Sequence, residues 1–175
     1  MALFFQWARI IYSIYCSTIS GSNVSEETET LINITQNIYA KIYDVESSDE
    51  NFYFLTPDAI YQSSLDTQKV DKVCDSNGDT SFHVYEDGFI VYSKDTRNPV
   101  RYVNPITNDS EVLFIPKQAL KSVVPYGDTL VYIESSSSVK TYNFTTKSSV
   151  EIFSGIGIQD AVLCNDGKVY IAKSS

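Results

Sequence analysis

From Leu31 to the end of the 175-residue chain, apolar runs of four to eight residues alternate with polar, turn-forming clusters. No stretch holds a helical period long enough to prefer a helix, so the pattern predicts short strands throughout, with PKQALKSV as the one segment suited to a single helical turn. Three segments superpose without gaps: IYQSSLDTQKVDKVC from Ile60, VRYVNPITNDSEVLF from Val100 and VKTYNFTTKSSVEIF from Val139. Each reads as a hairpin. A β-branched residue opens it, Thr67, Thr107 or Thr146 falls seven residues later beside turn formers, and Cys74, Phe114 or Phe153 closes it. Ahead of these hairpins stand NFYFL, GFIVYS and TLVYIES, with KVYIAK as a fourth copy, and their tyrosines, Tyr53, Tyr92, Tyr132 and Tyr170, recur at steps of 39, 40 and 38 residues. Three of the four follow a tight-turn signal, Asp87-Gly88, Gly127-Asp128 or Asp166-Gly167, which leads back to a further strand, FHVY, SVVPY or AVLC.

One unit is therefore four antiparallel strands in roughly 40 residues, a size that β-propeller blades share and that a sandwich or an up-and-down barrel does not require. The expected fold is all-β and β-propeller-like, with about four blades over residues 31 to 175. The Tyr-bearing second strand resembles that of low-density-lipoprotein-receptor-type propellers, whose blades carry Tyr-Trp-Thr-Asp. Tyr92-Ser93-Lys94-Asp95 keeps the first and last letters, whereas Tyr132-Ile133-Glu134-Ser135 and Tyr170-Ile171-Ala172-Lys173 keep only the tyrosine. The resemblance spans residues 50 to 173 at the level of blade pattern and implies the fold, not that family's ligands.

The two ends pose the question of ring closure. AVLCNDGKVYIAKSS supplies only the inner two strands of a last blade, while NITQNIYAKIY from Asn33 aligns with the outer hairpin NFTTKSSVEIF from Asn143. Either residues 31 to 43 complete that blade and lock the ring, or the propeller is incomplete and pairs through its edges with another copy or a partner. Between Tyr43 and Phe52 there is room for a connection but scarcely for an inner strand, which points to a three-stranded blade over residues 46 to 74.

Residues 1 to 20, MALFFQWARIIYSIYCSTIS, are apolar up to Cys16 and then small and polar, as in an export signal; Arg9 interrupts the run and argues against a spanning helix. Residues 21 to 30 form a polar, acidic linker. Sequons at Asn23, Asn33, Asn108 and Asn143 agree with a secretory route, although about two would arise by chance in this composition. The net charge of −9 opposes nucleic acid as a partner. Cys74 and Cys164 are too few for a disulfide scaffold and read as two separate buried small hydrophobes.

Chemistry is sparse in the pattern. The only histidine, His83, sits in an alternating strand, SFHVYED, with no nucleophile motif beside it, and reads as structural. Asp75, Asn77, Asp79 and Glu86 occupy the first, third, fifth and twelfth places of a calcium loop, but Thr80 replaces the required glycine and strands flank the segment, so a turn between blades is the preferred reading. The sialidase-like Gly78-Asp79-Thr80 lacks its supporting residues, and Asp87, Asp128 and Asp166 are accounted for by turn propensity. No catalytic residue, metal ligand or cofactor site is assigned. The expected function is a non-enzymatic protein-interaction module of the secretory pathway, secreted or lumenal in the endoplasmic reticulum, with a membrane met only through residues 1 to 20 if they are uncleaved. The alternatives are a glycan-binding or glycan-acting propeller and a truncated paralogue of a longer one.

Overall fold

The computed structural model describes residues 40 to 48, 51 to 64 and 69 to 174. The proposed export signal and linker, Cys16, Asn23, Asn33, Thr67 and most of the segment proposed to close the ring lie outside the described residues. The described chain is a stack of antiparallel sheets. The first is built in chain order from β1 (Asp44–Ser48), β2 (Asn51–Leu55), β3 (Ala59–Ser64) and β4 (Val70–Asp75). The second follows as β5 (Ser81–Tyr85), β6 (Gly88–Tyr92), β7 (Val100–Val103) and β8 (Ser110–Phe114). The third comprises β9 (Leu120–Tyr126), β10 (Thr129–Glu134), β11 (Ser138–Asn143) and β12 (Ser148–Ser154), and the fourth only β13 (Ile158–Leu163) and β14 (Val169–Lys173). These are propeller blades, as the sequence pattern predicts.

The first sheet departs from expectation, because β1 is present and gives it four strands. DVESS carries a single apolar residue, so its alternation is not visible as a buried strand; its polar residues work instead on the neighbouring sheet. Asp44 Oδ2 accepts the Phe82 amide at 3.4 Å, and the Glu46 carboxylate accepts the Val84 amide and meets His83 Nδ1 at 2.6 Å. An inner strand has one side without a ladder partner, and these carboxylates satisfy amides of β5 that would otherwise be left open. The suggested helical turn in PKQALKSV is also absent. Leu120 begins β9, and the preceding segment is held by the Lys117 amide donating to the buried Glu134 carboxylate at 3.0 Å.

The three outer hairpins repeat more closely in backbone than in sequence. In each, the register shifts immediately after the opening residue, between Ile60 and Tyr61, Val100 and Arg101, and Val139 and Lys140. A bulge at one conserved place in the unit twists every blade alike. Sheet faces alternate along each strand, so one set of side chains packs forward and the other back. Leu55, Ile60 and Cys74 meet Phe82, Phe89, Val91 and Val103; Ile90, Tyr92 and Val100 meet Leu120, Val123, Tyr132 and Tyr142; Val131, Ile133 and Val139 meet Ile158 and Ala161. Each core lies between sheets, which is why no blade is stable alone.

Among the described residues no hydrogen bond joins the fourth sheet to the first, and the arc is open. The recurrent tyrosines do lie in second strands, but not at one register. Tyr92 and Tyr132 share the core between the second and third sheets, so Tyr92 faces forward from β6 and Tyr132 faces back from β10. Tyr170, on the side of β14 turned away from the third sheet, is 52% exposed. The tyrosines mark the repeat without marking one structural position, and the finer likeness to the low-density-lipoprotein-receptor type gains no support from them.

Candidate functional site

The residues singled out for possible chemistry are held apart. Asp79 pairs with Arg101 and accepts Ser93 Oγ at 3.1 Å. Asp75 instead meets Lys72 Nζ at 2.7 Å and Asn108 Nδ2 at 3.0 Å, while Asn77, with φ of 55°, and Gly78, with φ of 81°, form the turn between the first two sheets. Glu86 stands in a different turn, so the four do not converge on one centre. Burial pushes the Asp79 carboxyl up, and its hydrogen bonds and charge pairing with Arg101 pull it back. His83 stacks on Tyr92 at 6.0 Å while its Nδ1 holds Glu46, a structural arrangement.

Cys74 is buried in the first inter-sheet core, as expected of a small hydrophobe, and burial raises its thiol to about 11. Cys164 differs, being only partly buried in the β13–β14 turn, and the two are unbridged. Asn108 lies exposed with its amide against Asp75, and Asn143 Oδ1 accepts the Thr146 amide at 2.8 Å.

What the sequence did not single out is a cleft of about 220 Å³ where the core between the second and third sheets reaches the surface. It sits at the end of the stack that carries the β5–β6, β7–β8, β9–β10 and β11–β12 turns. Its walls are aromatic: Tyr85, Tyr102, Tyr142 and Phe144. Tyr85 and Phe144 stack at 4.7 Å, and Tyr142 meets Phe144 edge-on at 5.7 Å. Glu86, Glu111, Leu113, Asp128 and Lys147 complete the lining. Two of the phenols are anchored, Tyr85 donating to the Gly127 carbonyl at 2.8 Å and Tyr102 to Asp87 Oδ1 at 2.7 Å.

Gly88 makes the Tyr102 position possible. A Cβ there would stand 2.5 Å from the Tyr102 hydroxyl and 2.6 Å from the Val103 carbonyl. The Asp87-Gly88 signal thus has a different origin from a turn requiring positive φ; that conformation falls to Glu86, with φ of 52°. Burial, reinforced by Glu86 and Asp128, raises Tyr85 to about 12, and burial with Asp87 raises Tyr102 further. Both phenols stay protonated and the negative charge of the cleft resides on its carboxylates. The available signal in the sequence was the adjacency of Tyr85 to Glu86 and Asp87, and of Tyr142 and Phe144 to the next turn.

The second surface feature is β14. In the other sheets the second strand is covered by an outer hairpin; among the described residues none pairs with the outer side of β14, and Val162 and Tyr170 beside it are exposed.

No protein-family model matches the chain. An uncharacterized protein of Treponema pallidum (strain Nichols) is 27% identical over 143 residues, covering 82% of this chain and 23% of that protein, so the chain spans less than a quarter of the relative. Among solved structures, Hsv2 of Kluyveromyces lactis superposes with a TM-score of 0.58 at 10% identity, over 77% of this chain and 46% of its own. The N-terminal domain of Nup159 superposes with a TM-score of 0.55 at 13% identity, over 78% of this chain and 44% of its own. Both are β-propellers, and the fold of this chain is an arc of one. A Saccharomyces cerevisiae structure contains Dbp5 bound to Nup159.

Proposed function

We propose that this chain is a non-enzymatic protein-interaction module of the secretory pathway that engages its partner by strand addition at β14. The observation that carries this reading is the two-stranded fourth sheet, whose second strand has no outer neighbour among the described residues and bears the 52%-exposed Tyr170. An exposed strand edge offers a row of backbone donors and acceptors that an extended segment of another protein satisfies without any catalytic group. The Dbp5 complex of Nup159 is a precedent for protein binding on this fold. The secretory assignment rests on the pattern of residues 1 to 20 and on the sequons, of which Asn108 is exposed.

A synthetic peptide of the chain's own outer hairpin, residues 139 to 153, is the probe for the edge. On its addition, hydrogen exchange of the outward-facing Val169, Ile171 and Lys173 amides is expected to slow, and Lys173→Pro, which removes an amide from the edge, is expected to weaken the effect. Unchanged exchange at saturating peptide would remove strand addition. Expression in a eukaryotic secretory host tests the compartment: an endoglycosidase-sensitive mass lost stepwise in Asn108→Gln and Asn143→Gln supports it, and an unglycosylated, retained product counts against it.

A further inference from the structure

We infer that the aromatic cleft between the second and third sheets binds a lysine or arginine side chain presented by a basic segment of a partner protein. This site is separate from the β14 edge and shares with the proposed function only that the partner is a protein.

The argument begins with which hydrogen-bonding groups remain available. Tyr85 and Tyr102 have already donated their hydroxyl protons, to the Gly127 carbonyl and to Asp87. Phe144 has none. Apart from the Tyr142 hydroxyl, what the lining keeps are acceptors: the Glu86 and Asp128 carboxylates, neither paired with a cation among the described residues, together with Glu111. A group matching this inventory donates without accepting, which describes an ammonium or a guanidinium.

Charge points the same way. Three carboxylates face one ammonium in the lining, and Asp87 adds a fourth acid at the rim. The chain already supplies a local stand-in, since Lys147 Nζ lies 2.6 Å from Glu111 Oε1 beside Tyr142. Both partners are more than half exposed, so this pair is readily opened by an incoming cation.

Aromatic walls suit the same ligand. A cation held against them gains from the ring quadrupoles, and the apolar stem of Lys or Arg covers Leu113 and Phe144. A neutral sugar would need several donors as well as acceptors, whereas the one ammonium in the lining, Lys147, is already paired with Glu111.

The experiment is a calorimetric titration of the folded chain, at low ionic strength, with a short arginine-rich peptide and with the same peptide carrying citrulline, which keeps the shape and removes the charge. The arginine peptide is expected to bind saturably and the citrulline peptide about tenfold more weakly. Glu86→Gln with Asp128→Asn, both in exposed turns, is expected to cost about tenfold. Asp71→Asn with Asp160→Asn, exposed acids elsewhere, should change affinity less than about twofold, which separates the cleft from the overall charge. Lys147→Gln, by removing the resident competitor, should tighten binding severalfold. Equal binding of the citrulline peptide, or an equal loss in the two double variants, overturns the inference. So does a neutral oligosaccharide whose binding depends on Glu86 and Asp128. Lys173→Pro, which removes an edge amide, leaves peptide affinity unchanged if the cleft acts alone, so failure at the edge and failure at the cleft are told apart.

Discussion

Tyr92 and Tyr132 face one another's sheets and share a single core, each almost fully buried at 3% and 2% exposure. They come from successive copies of the repeat, yet one looks forward and the other back. Counted from the hairpin turn, Tyr92 closes β6 while Tyr132 stands one place before the equivalent position in β10, because Gly88 pairs with Tyr85 and Thr129 with Tyr126. A one-residue offset reverses the face of a strand side chain.

The tyrosines should therefore differ in energetic weight. Tyr92→Ala and Tyr132→Ala are each expected to cost about 3–5 kcal/mol, as for other large buried aromatics, while Tyr170→Ala stays within about 0.5 kcal/mol. Urea midpoints of the three variants decide it; equal losses would mean that the faces are assigned wrongly.

Arg101 and Asp79 tie the second sheet to the loop leaving the first, and Arg101 also reaches the Ser76 carbonyl at 3.3 Å. Asp79 is nearly buried, so Arg101→Ala strands a carboxylate and is expected to lower stability by about 3 kcal/mol. Adding Asp79→Ala should recover much of that loss. A double variant as unstable as the sum of the single changes would show the pair to be uncoupled.

Stability is expected to fall in alkali. Burial raises Cys74 from 9.0 to about 11 and Tyr92 from 10.0 to about 12. Both are acids held neutral by the fold, so the unfolded chain releases their protons first. Their contribution is fully present below about pH 9 and is lost as pH rises through about 12. Denaturant midpoints taken from pH 8 upward should decline, and Cys74→Ala should flatten the first part of the decline. A midpoint independent of pH over that span contradicts the assignment.

Gly88→Ala is expected to cost about 1–3 kcal/mol and to displace Tyr102 from Asp87, since the new methyl meets the phenol and the Val103 carbonyl. Gly127→Ala, where a Cβ meets nothing within 4 Å, should cost less despite its φ of 50°. Thermal melts compare the two, and a larger loss at Gly127 would exclude the steric account.

Much of the blade architecture was legible because its signals are local. The β-branched residues opening each hairpin, Ile60, Val100 and Val139, are all fully buried in the inter-sheet cores, and the closing Cys74 is buried beside them. β1 was not legible: it pairs with β2, but its Asp44 and Glu46 side chains are satisfied by amides of β5, and a contact between residues 38 apart leaves no periodicity in the chain. The cleft was hidden for the same reason. Tyr85, Tyr102 and the Tyr142–Phe144 pair come from three different hairpins and become one wall only when two sheets stack.

The sequence by itself determined the repeat: four-strand units about 40 residues long and their turns. These follow from side-chain alternation and turn chemistry, which act over a few residues. Only the tertiary structure decided which face each tyrosine serves, that the first unit is complete, that the described arc stays open, and that acidic and aromatic residues gather at one end of the second interface. Those outcomes depend on sheet-to-sheet register, which is fixed by packing between units that are tens of residues apart.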